Sequence, residues 1–286
     1  MKPVDILLHE PALPPQEGQR SHLVLRTHAP TGMRSEMDQI ADETAVALEY
    51  NGISHAALLA TPCNLEDLAY GFSFTEGIIR GAQDMRDIEI VERSNGLVIQ
   101  MTIASSCLNQ LKLRRRSLAG STGCGLCGIE SLDEVRRELP PVAPRRAPIT
   151  RTAISSAARH LRTLQPLHLA TGATHAAGWA GLDGVVGHIR EDVGRHNALD
   201  KLIGHLLRHG IATTDGMAVI SSRASFEMVQ KAAAAGMSAL IAVSAPTSYA
   251  IRIASELNIM LAGFAREQQF TIYSHPEYLS HEGDLF

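Results

Sequence analysis

Two cysteines, Cys124 and Cys127, stand in the run STGCGLCGIES (residues 121–131) among small residues that offer little to pack against. Glycines at 120, 123, 125 and 128 open backbone conformations closed to other residues, so the stretch is expected to be a loop that moves. The cations Arg114, Arg115 and Arg116, together with a helix expected to start at Ser131 with Glu134 at capping-box spacing, favour thiolate over thiol. A thiolate can attack sulfur, bind a metal or accept a sulfane sulfur, and the spacing leaves three readings open. A structural zinc scaffold needs about four ligands; Cys63 and Cys107 are isolated in sequence, so His175 and His196 would have to complete the set. A dithiol redox pair is expected directly after a strand, whereas here a glycine-rich stretch precedes it. A persulfide carrier needs a thiol that visits a donor and then an acceptor, and a loop suits that.

A second concentration of chemistry is REDVGRHNALDK (residues 190–201), which gathers Asp192, Arg195, His196, Asn197, Asp200 and Lys201 where a strand is expected to pass into a helix. Of these, Asp200 and Lys201 fit an exposed helical face. SSRAS (221–225), SAPTS (244–248) and GFAREQ (263–268) follow expected strands in the same way. Ligands of open α/β sheets collect at the carboxyl ends of strands, where helix N-termini present free N–H groups to phosphate. The four segments therefore form a candidate nucleotide rim, with Arg223 as a phosphate contact. His175 fits either a structural hydrogen bond or a ligand contact. Cys63 and Cys107 fit buried small hydrophobes, and KLRRR (112–116) is either a solvated face or a docking patch for an acidic partner or phosphates.

The elements that must hold these groups can be read in outline. Apolar alternation around Asn51-Gly52 and again around Asn95-Gly96 predicts two hairpins, and Asn64 is placed to cap a helix whose Leu65, Leu68, Ala69 and Phe72 share a face. The front half thus reads as α+β with antiparallel pairs. Proline density at residues 140–148 predicts a linker. Beyond it, short apolar strands alternate with amphipathic helices, which predicts an α/β/α sandwich around a mainly parallel sheet. The division expected is an arm at 1–20, an α+β domain at 21–145 carrying the cysteine loop, and an α/β cofactor-binding domain at 146–286.

A chain of 286 residues with 45% hydrophobic content can bury a large core, and a net charge of −4 argues against a dedicated nucleic-acid binder. No run approaches the roughly 18 apolar residues of a membrane span, and four cysteines without a disulfide pattern suit a reducing cytoplasm. Neither GxxxxGK[ST] nor a GxGxxG after a strand is present, so no support exists for a Walker NTPase or a Rossmann dehydrogenase.

In order along the chain, TPCNLEDLAYGFSFTEGII, GCGLCG, TGATHAAG, EDVGRHNALDK, SSRASFEMVQKA, SAPTSYAIRIA and GFAREQQFTIYSHPEYL resemble the FdhD family of formate dehydrogenase accessory proteins, over roughly residues 44–280. The resemblance implies a cytoplasmic homodimer that takes persulfide sulfur from a cysteine desulfurase. The sulfur would pass to the molybdenum or tungsten of a bis-guanine-dinucleotide cofactor, with formate dehydrogenase as the client and no resident metal. By motif, Cys124 would carry the persulfide and Cys127 assist. Phe264, Ala265, Arg266, Glu267, Gln268 and Gln269 would contact the cofactor, whose pyrophosphates would meet Arg223 and N–H groups near Ser221 and Thr247, with His196 and Asn197 nearby. The resemblance further implies a cytidine-deaminase-like back half. Deamination itself is disfavoured, since the H-x-E and P-C-x-x-C signatures are absent.

Overall fold

The computed structural model describes residues 17–28, 32–121, 137–266 and 268–280. The expectations for residues 1–16, for Cys124 and Cys127, for the helix at Ser131 and for Glu267 lie outside the described residues.

Strands β1 (Gln19–His28) and β2 (Gly32–Ala41) pair only with each other, as an antiparallel ribbon that the alternation of residues had not announced. Gln19 and Arg20, assigned from sequence to the arm, open β1. Strands β3 (Thr44–Tyr50) and β4 (Ile53–Ala60) form the first expected hairpin, and both turn residues, Asn51 and Gly52, have the positive φ that this short connection demands. The second hairpin joins β5 (Met85–Arg93) to β6 (Gly96–Ile103), but Gly96 already pairs with Arg93, so the turn is Ser94-Asn95, one residue earlier than read. The front sheet runs β4-β3-β6-β5. Its central pair, β3 with β6, is parallel rather than antiparallel, because α1 (Leu65–Thr75) and the chain after it carry β6 back to the start of β3.

Leu65, Leu68 and Ala69 of α1 enter the core against Val46, Leu48, Ile99 and Met101, as the helical spacing requires. Asn64 does stand at the N-cap, yet with left-handed backbone (φ 52) and no capping bond from its side chain. Helix α2 (Ser105–Ser121) adds Cys107 and Leu111 to the same core. KLRRR lies on this helix.

The back sheet follows the order β12-β11-β10-β9-β7-β8. Its strands are β7 (His175–Gly181), β8 (Val186–Asp192), β9 (Gly216–Ile220), β10 (Ala239–Ala242), β11 (Met260–Arg266) and β12 (Gln269–Ser274). Only β9, β10 and β11 are mutually parallel; β7, β8 and β12 enter by antiparallel pairings, so the sheet is mixed where a mainly parallel one was expected. Helices α5 (Arg195–Arg208), α6 (Phe226–Ala234) and α7 (Ser248–Glu256) pack on one face, and α3 (Arg151–Thr163) on the other, with the short α4 (Pro166–Thr171) following it. The sandwich expected for the back half is therefore present, an α/β architecture in two sheets.

Two helices join the sheets. Helix α1 lies between the front sheet and α5, and the crossing is glycine on glycine: a Cβ on Gly71 would sit 1.7 Å from the Asp200 carbonyl oxygen, and one on Gly204 would sit 1.8 Å from that of Asp67. The proline-rich stretch is held to the back sheet rather than swinging free, since Val142 N–H donates to Leu257 and the Arg145 guanidinium donates to Gly216 O and Ser238 Oγ.

Candidate functional site

Because β7 runs antiparallel to β8 and β9, its first residue lies at the same edge as their last: His175 pairs with Asp192, and Ser221 N–H donates to Ala176 O. At this edge begin α5, α6 and α7, whose N-caps are Gly194, Ser225 and Thr247. The loops after β9 and β10 are tied by Ala224 with Pro246, and Phe264 N–H reaches Ser244 O. His196, Ser221, Arg223, Thr247 and Phe264, scattered over 69 positions of sequence, are thus brought to one rim.

The helix starts are unequal. Thr247 Oγ1 accepts the Ala250 N–H and caps α7, whereas no side chain caps α5 or α6. The first-turn N–H groups of those two helices are left to the rim; Glu227 already sets a carboxylate in the first turn of α6, whereas the first turn of α5 holds none and is the better place for an anion. Buried polar atoms point the same way: Arg195 Nε, His196 Nε2 and Ser225 Oγ have no hydrogen-bond partner among the described residues. Glu227 Oε2 on α6 comes within 2.7 Å of His196 Nε2, but off the line of a hydrogen bond. Burial pulls the His196 pKa below its usual value, against the carboxylate of Glu227 and with the help of Arg195; burial, then Arg195, does the same to His175. Both rings are therefore neutral at pH 7.

Other candidates are occupied by the fold. Ser221 uses its N–H on Ala176 O and its hydroxyl accepts the Ala176 N–H, and Thr247 N–H donates to Ala224 O, so these groups serve the fold. Asn197 is buried and donates to Leu59 O and Asp192 Oδ1, a tie between the sheets rather than a ligand contact. Arg223 is exposed. In the segment from Phe264, Ala265 is buried in the core while Arg266, Gln268 and Gln269 are exposed. Phe264 itself is 47% exposed at φ 53, a left-handed backbone rare for an aromatic residue, inside an irregularity between Gly263 and Arg266. Sequence reasoning missed Glu227; nothing but its place in the first turn of α6 could have marked it.

Asp200 and Lys201 do not form an exposed face. Both are buried, on neighbouring faces of α5 about 100° apart. Lys201 Nζ donates to Asp192 Oδ2 at 2.6 Å and to Thr61 O at 2.8 Å. Asp192 also accepts from the N–H groups of Thr61 and Gly194 and from Asn197 Nδ2, which sets the start of α5 at the rim. Asp200 accepts from Lys231 Nζ at 2.9 Å and from Thr75 Oγ1 at 2.8 Å. Burial raises the Asp200 pKa, while for Lys231 burial is outweighed by the carboxylates of Asp200 and Glu76 and the net shift is upward. Cys63 and Cys107 are buried thiols whose pKa burial raises, as their structural reading requires.

Beside this network, Arg137 is pinned by its N–H to Gln230 Oε1 and its guanidinium to Thr75 O. Gln230 lies on α6, one turn from Glu227, so the chain re-enters the described structure after the cysteines close to the rim. Among the described residues no group of three or more His, Cys, Asp or Glu could hold a metal ion, and no helix is long and apolar enough to cross a membrane.

Comparison with known proteins follows the same lines. Residues 41–280 match the FdhD/NarQ family. The chain is 57% identical over 248 residues to the sulfur carrier protein FdhD of Bordetella petrii, covering 87% of this chain and 89% of that one. To the sulfur carrier protein FdhD of Cupriavidus necator it is 52% identical over 248 residues, covering 87% and 86%. A crystal structure of a formate dehydrogenase accessory protein from Desulfotalea psychrophila superposes with a TM-score of 0.71 over 92% of this chain and 99% of that one, at 23% identity, a likeness of fold.

Proposed function

The chain belongs to the FdhD/NarQ family, and from that membership we propose that it is a cytoplasmic sulfurtransferase. It would take sulfane sulfur from a cysteine desulfurase and deliver it to the molybdenum or tungsten of a bis-guanine-dinucleotide cofactor bound for formate dehydrogenase. The Cys124 thiolate attacks the terminal sulfur of the desulfurase persulfide; the desulfurase cysteine leaves as thiolate, and Cys124 becomes the persulfide. Cys127 assists the onward transfer to the cofactor, which is substrate here and not a resident group. Arg114 to Arg116 stabilise the anionic sulfur or dock the acidic face of a partner, and two copies of the chain act as a dimer.

What supports this reading is the rim: two uncapped helix starts with Arg195 Nε and Ser225 Oγ left without partners suit the phosphates of a nucleotide cofactor. Arg223 adds a cation there, and Phe264 an exposed aromatic face for a base.

The test is sulfur labelling. Incubation with a cysteine desulfurase and radiolabelled cysteine should place reductant-labile label on Cys124, seen as a gain of one sulfur by mass. Equal labelling of Cys124→Ala would overturn the assignment.

A further inference from the structure

Strands β1 and β2 carry four large apolar side chains in the open: Leu23, Leu25, Met33 and Met37 are 64%, 62%, 67% and 59% exposed. Opposed residues of an antiparallel pair point to the same side, and the register sets Leu23 against Met37 and Thr27 against Met33, with Leu25 between them on β1. All four therefore share one face. Nearer the root of the ribbon the same face holds Ser21 and Gln39, which hydrogen-bond to each other at 2.9 Å. No charge lies on this side. Arg20, Arg26, Arg34, Glu36 and Asp38 are all on the other, where Arg26 pairs with Glu36 and Asp38, and Arg20 with Asp42.

Such a face calls for a cover. A two-stranded ribbon is marginal in water by itself, and a sheet buries its apolar side under another layer. The ribbon is fixed only at its root: Gly18 packs closely on Thr61 and Leu167, its carbonyl accepts the Asp42 N–H, and β2 passes beside α4. The family match starts at residue 41, the last of β2, so the apolar face lies outside the part of the chain that carries the family likeness.

Size and charge select the occupant. From the row of Leu23 and Met37 to that of Thr27 and Met33 is about 13 Å at about 3.3 Å per residue, the length of two to three helical turns. Covering four Leu and Met side chains removes roughly 300–400 Å² from water. That is about half of the roughly 800 Å² that each partner buries in a stable dimer, so a second copy set on this face alone would not hold. Membrane surfaces are met by apolar faces flanked with free cations, whereas here carboxylates neutralise Arg20 and Arg26. A strand added at the edge of β1 would leave the face bare. One helix laid over it would cover it, and two methionines among the four side chains let the surface mould to that helix.

We propose that the uncharged face of the β1–β2 ribbon docks an amphipathic helix of a partner protein, one whose apolar stripe at i, i+3 or i+4, and i+7 carries no charge. The helix is the missing layer of a ribbon-and-helix unit. This docking is independent of the sulfur-transfer reading.

A fluorescein-labelled 20-residue helical peptide of Leu, Glu and Lys, neutral overall and with its leucines on one face, is the probe; the same composition with the leucines dispersed is the control. Fluorescence anisotropy with the full-length protein should show the first bound at least tenfold more tightly than the second. Leu25→Ser and Met37→Ser should each weaken it roughly tenfold or more with unchanged melting temperatures, and Glu36→Gln, on the charged side, less than twofold. If the parent does not distinguish the two peptides, or if Leu25→Ser binds the probe within twofold, the proposal is wrong. Three other results also overturn it. A dimer that sedimentation shows falling to monomer in Leu25→Ser would give the face to a second copy. A tenfold gain in probe affinity on removing residues 1–16 would give it to the chain's own N-terminus. Binding to phosphatidylcholine–phosphatidylglycerol vesicles that is lost in Leu25→Ser would give it to a membrane.

Discussion

Replacing Lys201 by Met removes a charge that the structure has sealed away completely. Both members of the pair are inaccessible, with Lys201 Nζ and Asp192 Oδ2 2.6 Å apart and 0% of either side chain exposed. The variant keeps nearly the same volume, so packing loss is small. What it loses is the counter-charge: Asp192 keeps N–H donors from Thr61 and Gly194 and the amide of Asn197, but no cation, and Thr61 O keeps only the Cys63 N–H. Breaking such a pair from one side costs about 3–5 kcal/mol. At about 2–4 °C per kcal/mol for a chain of this size, the melting temperature should fall by roughly 6–20 °C. Urea titration and calorimetry of Lys201→Met, Asp192→Asn and the double variant measure it. The double variant should cost less than the sum of the singles by at least about 1 kcal/mol, since the second change removes the charge that the first left stranded. A Lys201→Met cost below about 1 kcal/mol, or singles that add within about 0.5 kcal/mol, would refute the reasoning.

Gly71→Ala and Gly204→Ala should each destabilise by about 2 kcal/mol or more in urea titration, because the close crossing of α1 and α5 outweighs the roughly 1 kcal/mol that alanine gains in helix propensity. His205 has its pKa pushed down to about 4, first by burial, then by Arg190 and the neighbouring rings of His209 and His188, against the pull of Asp67. The unfolded chain then binds this proton more readily than the folded one, so stability falls as pH drops from about 6.5 towards 4. His205→Gln should flatten that part of the stability curve and leave it unchanged above pH 7; identical curves would exclude the histidine as the source. Phe264→Gly should hold or raise the melting temperature, measured by calorimetry, by relieving the left-handed backbone; a clear fall would show that the ring's packing outweighs the strain.

The legible parts of this fold are those with local causes. Asn51-Gly52 announces its hairpin because two positive φ values are needed there and those residues tolerate them. The strand and helix segments after residue 150 follow from periodicity, and every one read from the sequence as far as β11 is present. Periodicity, however, carries no strand direction, so the antiparallel entries of β7 and β12 were invisible. Helix α2 was hidden by its basic run, which resembles a solvated segment. Asp200 and Lys201 were misplaced for a related reason: hydropathy assigns a charge to water, while the groups that bury these two lie up to 140 positions away, at Thr75 and Thr61. Of the rim, the strand-end segments were readable as a set. The roles of Asn197 and Ser221 as ties within the fold required coordinates.

Helix α5 is clasped from two sides, with Asp192 and Thr61 holding Lys201 on one flank and Thr75 and Lys231 holding Asp200 on the other. Each clasp draws one partner from before residue 146 and one from after it. A chimera that joins residues before 146 from one relative to residues after it from another inherits half of each clasp from either parent. Recombination within such a lineage is therefore constrained to exchange the two halves together, or to exchange neither.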